Sequence, residues 1–347
     1  MNELLTPISQ LKLGFSASQV NFLQRQGVNT LGQFYEILQR HSSAMAKAGF
    51  SSSLLQQCRR LYRCFTQEMN FGSCIEFLPP LGFILDPKDS PTLMKHRADT
   101  QDDRLKLANY ARALEDELPR EYLLTDSMQE VRNQLNLGAC TGFGSTSARE
   151  FIEGKALSPG FAYRGAKMLD GMPNVEGSYQ EYCYQFFVEY GQLPEHGYDY
   201  EQCLCNEDIT PYLGDAKRFK INNYLDLMVE PKYLSVVLKA ALCGMLTDEI
   251  TPRPVSISLA VYESFVGDSA RRFGLIPIPF EGETLHGGHA MSVAGYTELY
   301  GTTYFVVQNS WGKSWAKDNP LELPGYALIP EGFITQNGLV GELLMMI

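Results

Sequence analysis

The chain has 347 residues, of which 44% are hydrophobic and 20% charged, enough to bury one large core with a smaller one beside it. Its 29 Lys and Arg against 40 Asp and Glu give a net charge of −11, which argues against nucleic-acid binding through the surface as a whole. Eight cysteines are too few for a disulfide scaffold, and no run reaches the roughly 18 apolar residues that span a bilayer.

In chain order, the segment from Met1 to Pro7 has neither a basic start nor a long apolar run. No secretory signal is expected, and the expected compartment is the cytoplasm; export without a cleavable N-terminal signal is the alternative. Residues 1–85 read as a helical module. Ser16 caps a helix through Val20 and Leu23, the turn Gly27-Val28-Asn29-Thr30 ends in a second cap, and Leu31, Phe34, Ile37 and Leu38 recur at helical spacing. A third helix follows Ser51-Ser52-Ser53, with Leu54, Cys58, Leu61 and Phe65 on one stripe. The module holds seven Lys and Arg against four Asp and Glu, a net of +3 that leaves −14 for the remainder. Opposite signs predict that it docks in cis on the rest of the chain; nucleic-acid contact by its helical hairpin is the alternative.

Residues 86–117 are rich in charge and read as an exposed connector open to nicking, with a surface helix over 105–114. From 118 to 347 helical runs are expected at 147–152, 178–190 and 233–246, and strands at 255–261, 304–307 and, as a buried final strand, 343–347. Helices come first and strands dominate later, which predicts an α+β domain rather than a βαβ series.

Three separated segments carry the chemistry. The first includes Gln134, Gly138 and Cys140, the second Gly288, His289 and Ala290, and the third Asn309, Ser310, Trp311, Gly312 and Trp315. A cysteine that opens a helix sits where free backbone N–H groups and the helix dipole favour a thiolate. A histidine alongside can hold that thiolate as an ion pair and then protonate the leaving group, while a neutral amide such as Asn309 fixes the ring without competing for its charge. The Gln134 side-chain amide can join the Cys140 backbone N–H as an oxyanion donor. These parts suffice for acyl transfer.

The set closely resembles the papain-like (C1 family) cysteine peptidases of bacterial type, over about residues 118–340. The resemblance implies a two-lobed fold, helical on the left and β-rich on the right, behind an N-terminal helical module. It implies Cys140 as nucleophile, His289 as general base and acid, Asn309 as orienter and Gln134 as oxyanion donor. Gly177 and Ser178 stand where the family pairs with substrate backbone; Trp311 and Trp315 stand where it shields the His–Asn hydrogen bond, and Trp311 also borders the substrate. The pattern departs at Thr141, where animal and plant enzymes carry an aromatic residue, and at Leu137, where secreted relatives carry a disulfide cysteine. Gly142 and Gly144 make the first turn of the catalytic helix intrinsically weak. No inhibitory-propeptide signature is recognisable in 1–117. Within residues 8–40, Leu13 to Leu31 also resembles the helix-hairpin-helix of the bacterial RNA polymerase alpha C-terminal domain, through common turn chemistry.

Cys203 and Cys205, with His196 nearby, lack the second half of a zinc set, so no metal or cofactor is expected. His286 reads as a loop residue and Cys58 as core. The function expected is hydrolysis of peptide bonds in a peptide or protein substrate through an acyl-enzyme, held as a zymogen until the connector is cut. A catalytically silent peptide-binding module, and an acyltransferase or deamidase with the same triad, are the rival readings.

Overall fold

The computed structural model describes residues 3–11, 13–65, 79–85, 101–247 and 250–347. The side chains of Leu61, Cys64 and Phe65, together with Cys74 and stretch 86–100 of the connector, lie outside what is described.

Ser16 and Thr30 start α1 (Ala17–Arg25) and α2 (Leu31–Arg40), each through a capping box closed by the glutamine three residues on, Gln19 and Gln33. Both starts are those the sequence predicts. A further short helix, α3 (Ser42–Lys47), precedes α4 (Ser52–Phe65). Leu23, Val28, Phe34, Ile37, Leu38 and Cys58 form the module's core, which Phe280 completes from the far end of the chain. The helical reading of 1–85 fails at its end: residues 79–85 are not helical, since Pro79 and Pro80 disfavour helix.

The connector helix is α5 (Gln101–Ala113), whose Ala108 and Ala111 are buried in the core of the right lobe. The longest helices of the left lobe are α6 (Cys140–Glu153), α7 (Pro159–Leu169) and α8 (Gln180–Glu189). Its core holds Phe161, Tyr182, Cys183, Phe186 and Phe187. α6 is buried from Cys140 through Glu150, and its glycines explain how. A Cβ on Gly142 would stand 2.4 Å from the Pro159 carbonyl oxygen, and one on Gly144 would stand 2.9 Å from the Met291 backbone. The low helix propensity of these two residues is the cost of seating the helix between its neighbours.

The right lobe is a seven-stranded antiparallel sheet: β1 (Tyr122–Leu123), β2 (Tyr224–Asp226), β3 (Val255–Tyr262), β4 (Leu285–Leu299), β5 (Thr302–Gln308), β6 (Tyr326–Pro330) and β7 (Val340–Met346). The strand order is β2-β7-β3-β4-β5-β6, with β1 on β4. Helix α9 (Pro231–Leu242) buries Leu234, Val237, Leu238 and Leu242 in the same core, and α10 (Asp268–Phe273) follows β3. This is the α+β, two-lobed arrangement with N-terminal helices that the resemblance implies.

The N-terminal helices touch the right lobe through polar contacts at several points. The Glu36 carboxylate accepts the N–H groups of Asp268 and Ser269 at 3.0 and 2.9 Å, capping α10 from outside. Ile278 N–H donates to the Gln26 carbonyl at 2.9 Å, Asn29 Nδ2 donates to the Tyr304 hydroxyl at 2.5 Å, and His41 stacks on Phe280 with ring centres 5.3 Å apart.

Candidate active site

Cys140 is the first residue of α6, and Ala139 before it offers no side-chain cap, so the free N–H groups of the first turn are left to the thiol. Cys140 Sγ accepts the Ala290 N–H at 3.4 Å and is also approached by the N–H groups of Gly82 and Thr141.

β4 and the end of β5 supply the partners. His289 sits opposite Leu259 in the β3–β4 register, and its Nε2 lies 2.7 Å from Asn309 Oδ1. The same Oδ1 accepts the Ser310 N–H at 2.7 Å. That assigns it as the amide oxygen, so Nε2 carries the ring proton and Nδ1 is left as the base. Nδ1 is buried and makes no hydrogen bond. Trp311 stacks on the imidazole with ring centres 4.4 Å apart, and Trp315 packs edge-on against Trp311 at 5.3 Å. His286 is not a loop residue as expected: it lies on β4, at the bulge where Val261 pairs with Gly287 and Tyr262 with Leu285.

Gln134 is fully buried and fixed on every side. Its N–H donates to the Ser310 carbonyl at 2.8 Å, its Oε1 accepts the Ser310 hydroxyl at 2.6 Å, and its carbonyl accepts the Tyr200 hydroxyl at 2.6 Å. With Oε1 engaged, Nε2 points into the cleft, where it donates to Pro80 O at 3.1 Å and to Leu137 O at 2.9 Å.

Residues 79–85 run through this cleft as a strap. Ser178 N–H donates to Gly82 O at 2.8 Å, Ile84 N–H donates to Ser178 O at 3.3 Å, and Phe83 N–H donates to Gly288 O at 3.1 Å. The strap therefore pairs parallel to Ser178 and antiparallel to Gly288. Gly82 passes the narrowest point: a Cβ there would stand 1.9 Å from Gly138 O. Gly177, with φ of +95°, faces it, and a Cβ on Gly177 would meet Gly82 O at 2.5 Å. The Phe83 ring meets Tyr179 edge-on at 5.8 Å.

Under the strap Cys140 and His289 are both 0% exposed. Burial pushes the thiol up to about 12 and the imidazole down to about 4, so both groups are neutral at ordinary pH. The structure thus gathers Cys140, His289, Asn309, Gln134, Gly177, Ser178 and Trp311 around one cleft. Sequence reasoning missed the strap; its signal was Pro79-Pro80-Leu81-Gly82, whose prolines and glycine interrupt any helix. It also missed Tyr200 and the Lys167–Asp170 pair, and it named Ser310 within the third segment without giving it a role. Cys203 is buried and Cys205 exposed, and among the described residues no cluster of His, Cys, Asp and Glu could hold a metal.

A cysteine opening the buried helix of one lobe, facing a His–Asn pair on the sheet of the other, defines a class of thiol hydrolases. The family model described as "Papain family cysteine protease" matches residues 119–327, more than half of the chain. The chain belongs to the papain family of cysteine proteases. Among curated relatives, it is 24% identical over 234 residues to an uncharacterized peptidase C1-like protein of Acanthamoeba polyphaga mimivirus, covering 63% of this chain and 70% of that one. It is 24% identical over 208 residues to pro-cathepsin H of Mus musculus, covering 58% of this chain and only 56% of the relative. Among solved structures, xylellain, a cysteine protease from Xylella fastidiosa, superposes with a TM-score of 0.57 at 23% identity, over 77% of this chain and 96% of that one. Digestive procathepsin L 3 of Tenebrio molitor gives 0.50 at 19% identity, over 66% and 70%. No helix among the described residues is long and apolar enough to cross a membrane.

Proposed function

We propose that the chain hydrolyses peptide bonds with Cys140 as nucleophile, His289 as base and then acid, and Asn309 as the group that holds the imidazole. His289 Nδ1 takes the thiol proton, the thiolate attacks the carbonyl carbon, and the imidazolium returns the proton to the leaving amine. Water then resolves the acyl-enzyme. Gln134 Nε2 and the Cys140 N–H receive the oxyanion. Gly177 and Ser178 pair with substrate backbone, and Trp311 keeps water from the His–Asn bond.

The observation that carries this reading is the strap. It engages three points of the cleft as a peptide would: a carbonyl at Gln134 Nε2, and backbone partners at Ser178 and Gly288. At the thiol it brings the Gly82 N–H, so it occupies the cleft that a substrate would need. The chain is accordingly an autoinhibited zymogen. The helical module (1–85) anchors the strap in cis on the peptidase domain (118–347), and cutting the connector (86–117) ahead of α5 frees one end. The Gln26 carbonyl, in the turn of the helical hairpin, is engaged by Ile278, which disfavours nucleic acid as its partner.

A thiol-directed epoxysuccinyl probe tests the reading on the full chain before and after limited proteolysis of the connector. Labelling should be slow before cutting, fast after it, confined to Cys140 and absent from Cys140→Ala. A cut chain that stays unlabelled, with the strap displaced, would instead describe a silent peptide-binding module.

A further inference from the structure

The edge that meets the strap, Gly177 and Ser178, lies at the end of an exposed loop, residues 171–176, yet both residues are buried. It is held from beneath by an ion pair that the proposed chemistry does not use. Asp170 is 2% exposed and Lys167 Nζ lies 2.7 Å from its Oδ2. Every donor of the ammonium is engaged: besides Asp170, Nζ donates to Met172 O at 2.7 Å and to Gly177 O at 3.0 Å. Both oxygens of Asp170 are engaged as well. Oδ1 accepts the Met172 N–H at 2.8 Å, and Oδ2 accepts the Ser178 hydroxyl at 2.9 Å.

The Gly177 carbonyl and the Ser178 N–H are the two ends of one peptide unit. Lys167 binds the carbonyl end, and the N–H end donates to Gly82 O at 2.8 Å. A cation on a carbonyl oxygen draws electron density through the amide and strengthens the opposite N–H as a donor, an effect that grows where water is excluded. Asp170 fixes the same unit in rotation by gripping the Ser178 side chain. A buried, fully satisfied network of this kind specifies one geometry, and a partly satisfied one is costly.

We propose that the Lys167–Asp170 pair is a positioning device that orients and polarises the 177–178 peptide, so that its N–H captures a backbone carbonyl of the substrate. The inference rests on the reading of Gly177 and Ser178 as the substrate-pairing edge, and it adds two residues and a physical cause for that edge's strength. The same device grips the strap, so any change to it acts on inhibitor and substrate together.

The experiment therefore uses a ratio from which strap opening cancels. On the full chain, the second-order rate of Cys140 labelling is measured with a peptidyl epoxysuccinate, which needs the edge, and with iodoacetamide, which does not. Asp170→Asn and Lys167→Met should lower the peptidyl-to-iodoacetamide ratio about tenfold, the loss of one strong hydrogen bond, while Lys167→Arg, which keeps charge and donors, should retain it. Ser178→Ala leaves the ion pair intact and removes one bond to Asp170; it should lower the ratio about threefold and provides a test should Asp170→Asn fail to fold. A purely structural role would lower the melting temperature and the labelled fraction but leave the ratio at the parent value. An unchanged ratio in Lys167→Met and Ser178→Ala overturns the proposal. A parent chain that neither reagent labels at Cys140, even after the connector is cut, overturns the proposal together with the nucleophile assignment beneath it.

Discussion

Burial sets the protonation of Cys140 and His289 in opposite directions, and both directions favour the neutral pair. The imidazole is lowered from 6.5 to about 4, so its share of stability is complete above pH 6.5 and is lost as pH falls toward 4. The thiol is raised from 9.0 to about 12, so its share is complete below pH 9 and is lost as pH rises toward 12. The strapped chain is therefore best stabilised by these two groups between pH 6.5 and 9, and acid favours opening. The melting temperature of the parent relative to that of His289→Gln should fall as pH is taken from 6.5 to 4; a relative rise contradicts the linkage. On the proposed mechanism, Gln134→Ala should lower kcat of the cut enzyme about 10²-fold, the typical loss of one oxyanion donor, with KM nearly unchanged. Cys140, His289, Asn309 and Gln134 were legible in the sequence because each has its own local signature and they occur in a fixed order. Lys167 and Asp170 were not. A lysine three residues before an aspartate is ordinary helix-end chemistry, and its meaning comes only from the carbonyl of Gly177 that the following loop returns to it.

Elements show the same division between local and returned information. The starts of α1 and α2 were readable because Ser16 with Gln19, and Thr30 with Gln33, complete a capping box within four residues. The strap was readable only as a break in the helical pattern at Pro79-Pro80-Leu81-Gly82, since residues 79–85 gain their hydrogen bonds from Ser178 and Gly288, far along the chain. Its fit turns on one residue. A side chain at Gly82 must enter space held by the Gly138 carbonyl, 1.9 Å from the Cβ position, and backbone cannot yield as a flexible side chain does. Gly82→Val should displace the strap and raise Cys140 labelling of the uncut chain by about tenfold or more. If the labelling rate of that variant matches the parent, the strap does not govern access.

At the scale of the molecule, an acidic peptidase domain carries a basic helical module against its sheet lobe, but few of the contacts are between opposite charges. Lys47 and Glu281 approach to 3.3 Å with both side chains largely exposed, a pair of little energetic consequence. The stronger contact is buried Glu36, whose side chain accepts two backbone N–H groups at the start of α10. Glu36→Ala should weaken docking by about 1 kcal/mol, and so raise the labelling rate of the uncut chain roughly fivefold; an equal rate in the variant would show that module and strap are uncoupled. The charge split visible in the sequence does not account for these contacts, which are mainly hydrogen bonds fixed by geometry.

The module's foothold on α10 and Tyr304 has a consequence for kinetics. After the connector is cut, the strap is still joined through residues 66–78 to helices seated on the sheet lobe, so it returns to the cleft as an intramolecular ligand. Its effective concentration is set by the length of that tether and not by the amount of protein present. On this reading the fraction of cut enzyme that is open does not change with dilution, whereas an inhibitor free in solution would be shed as the sample is diluted. Activation would then be a first-order event, paced by the module leaving its seat.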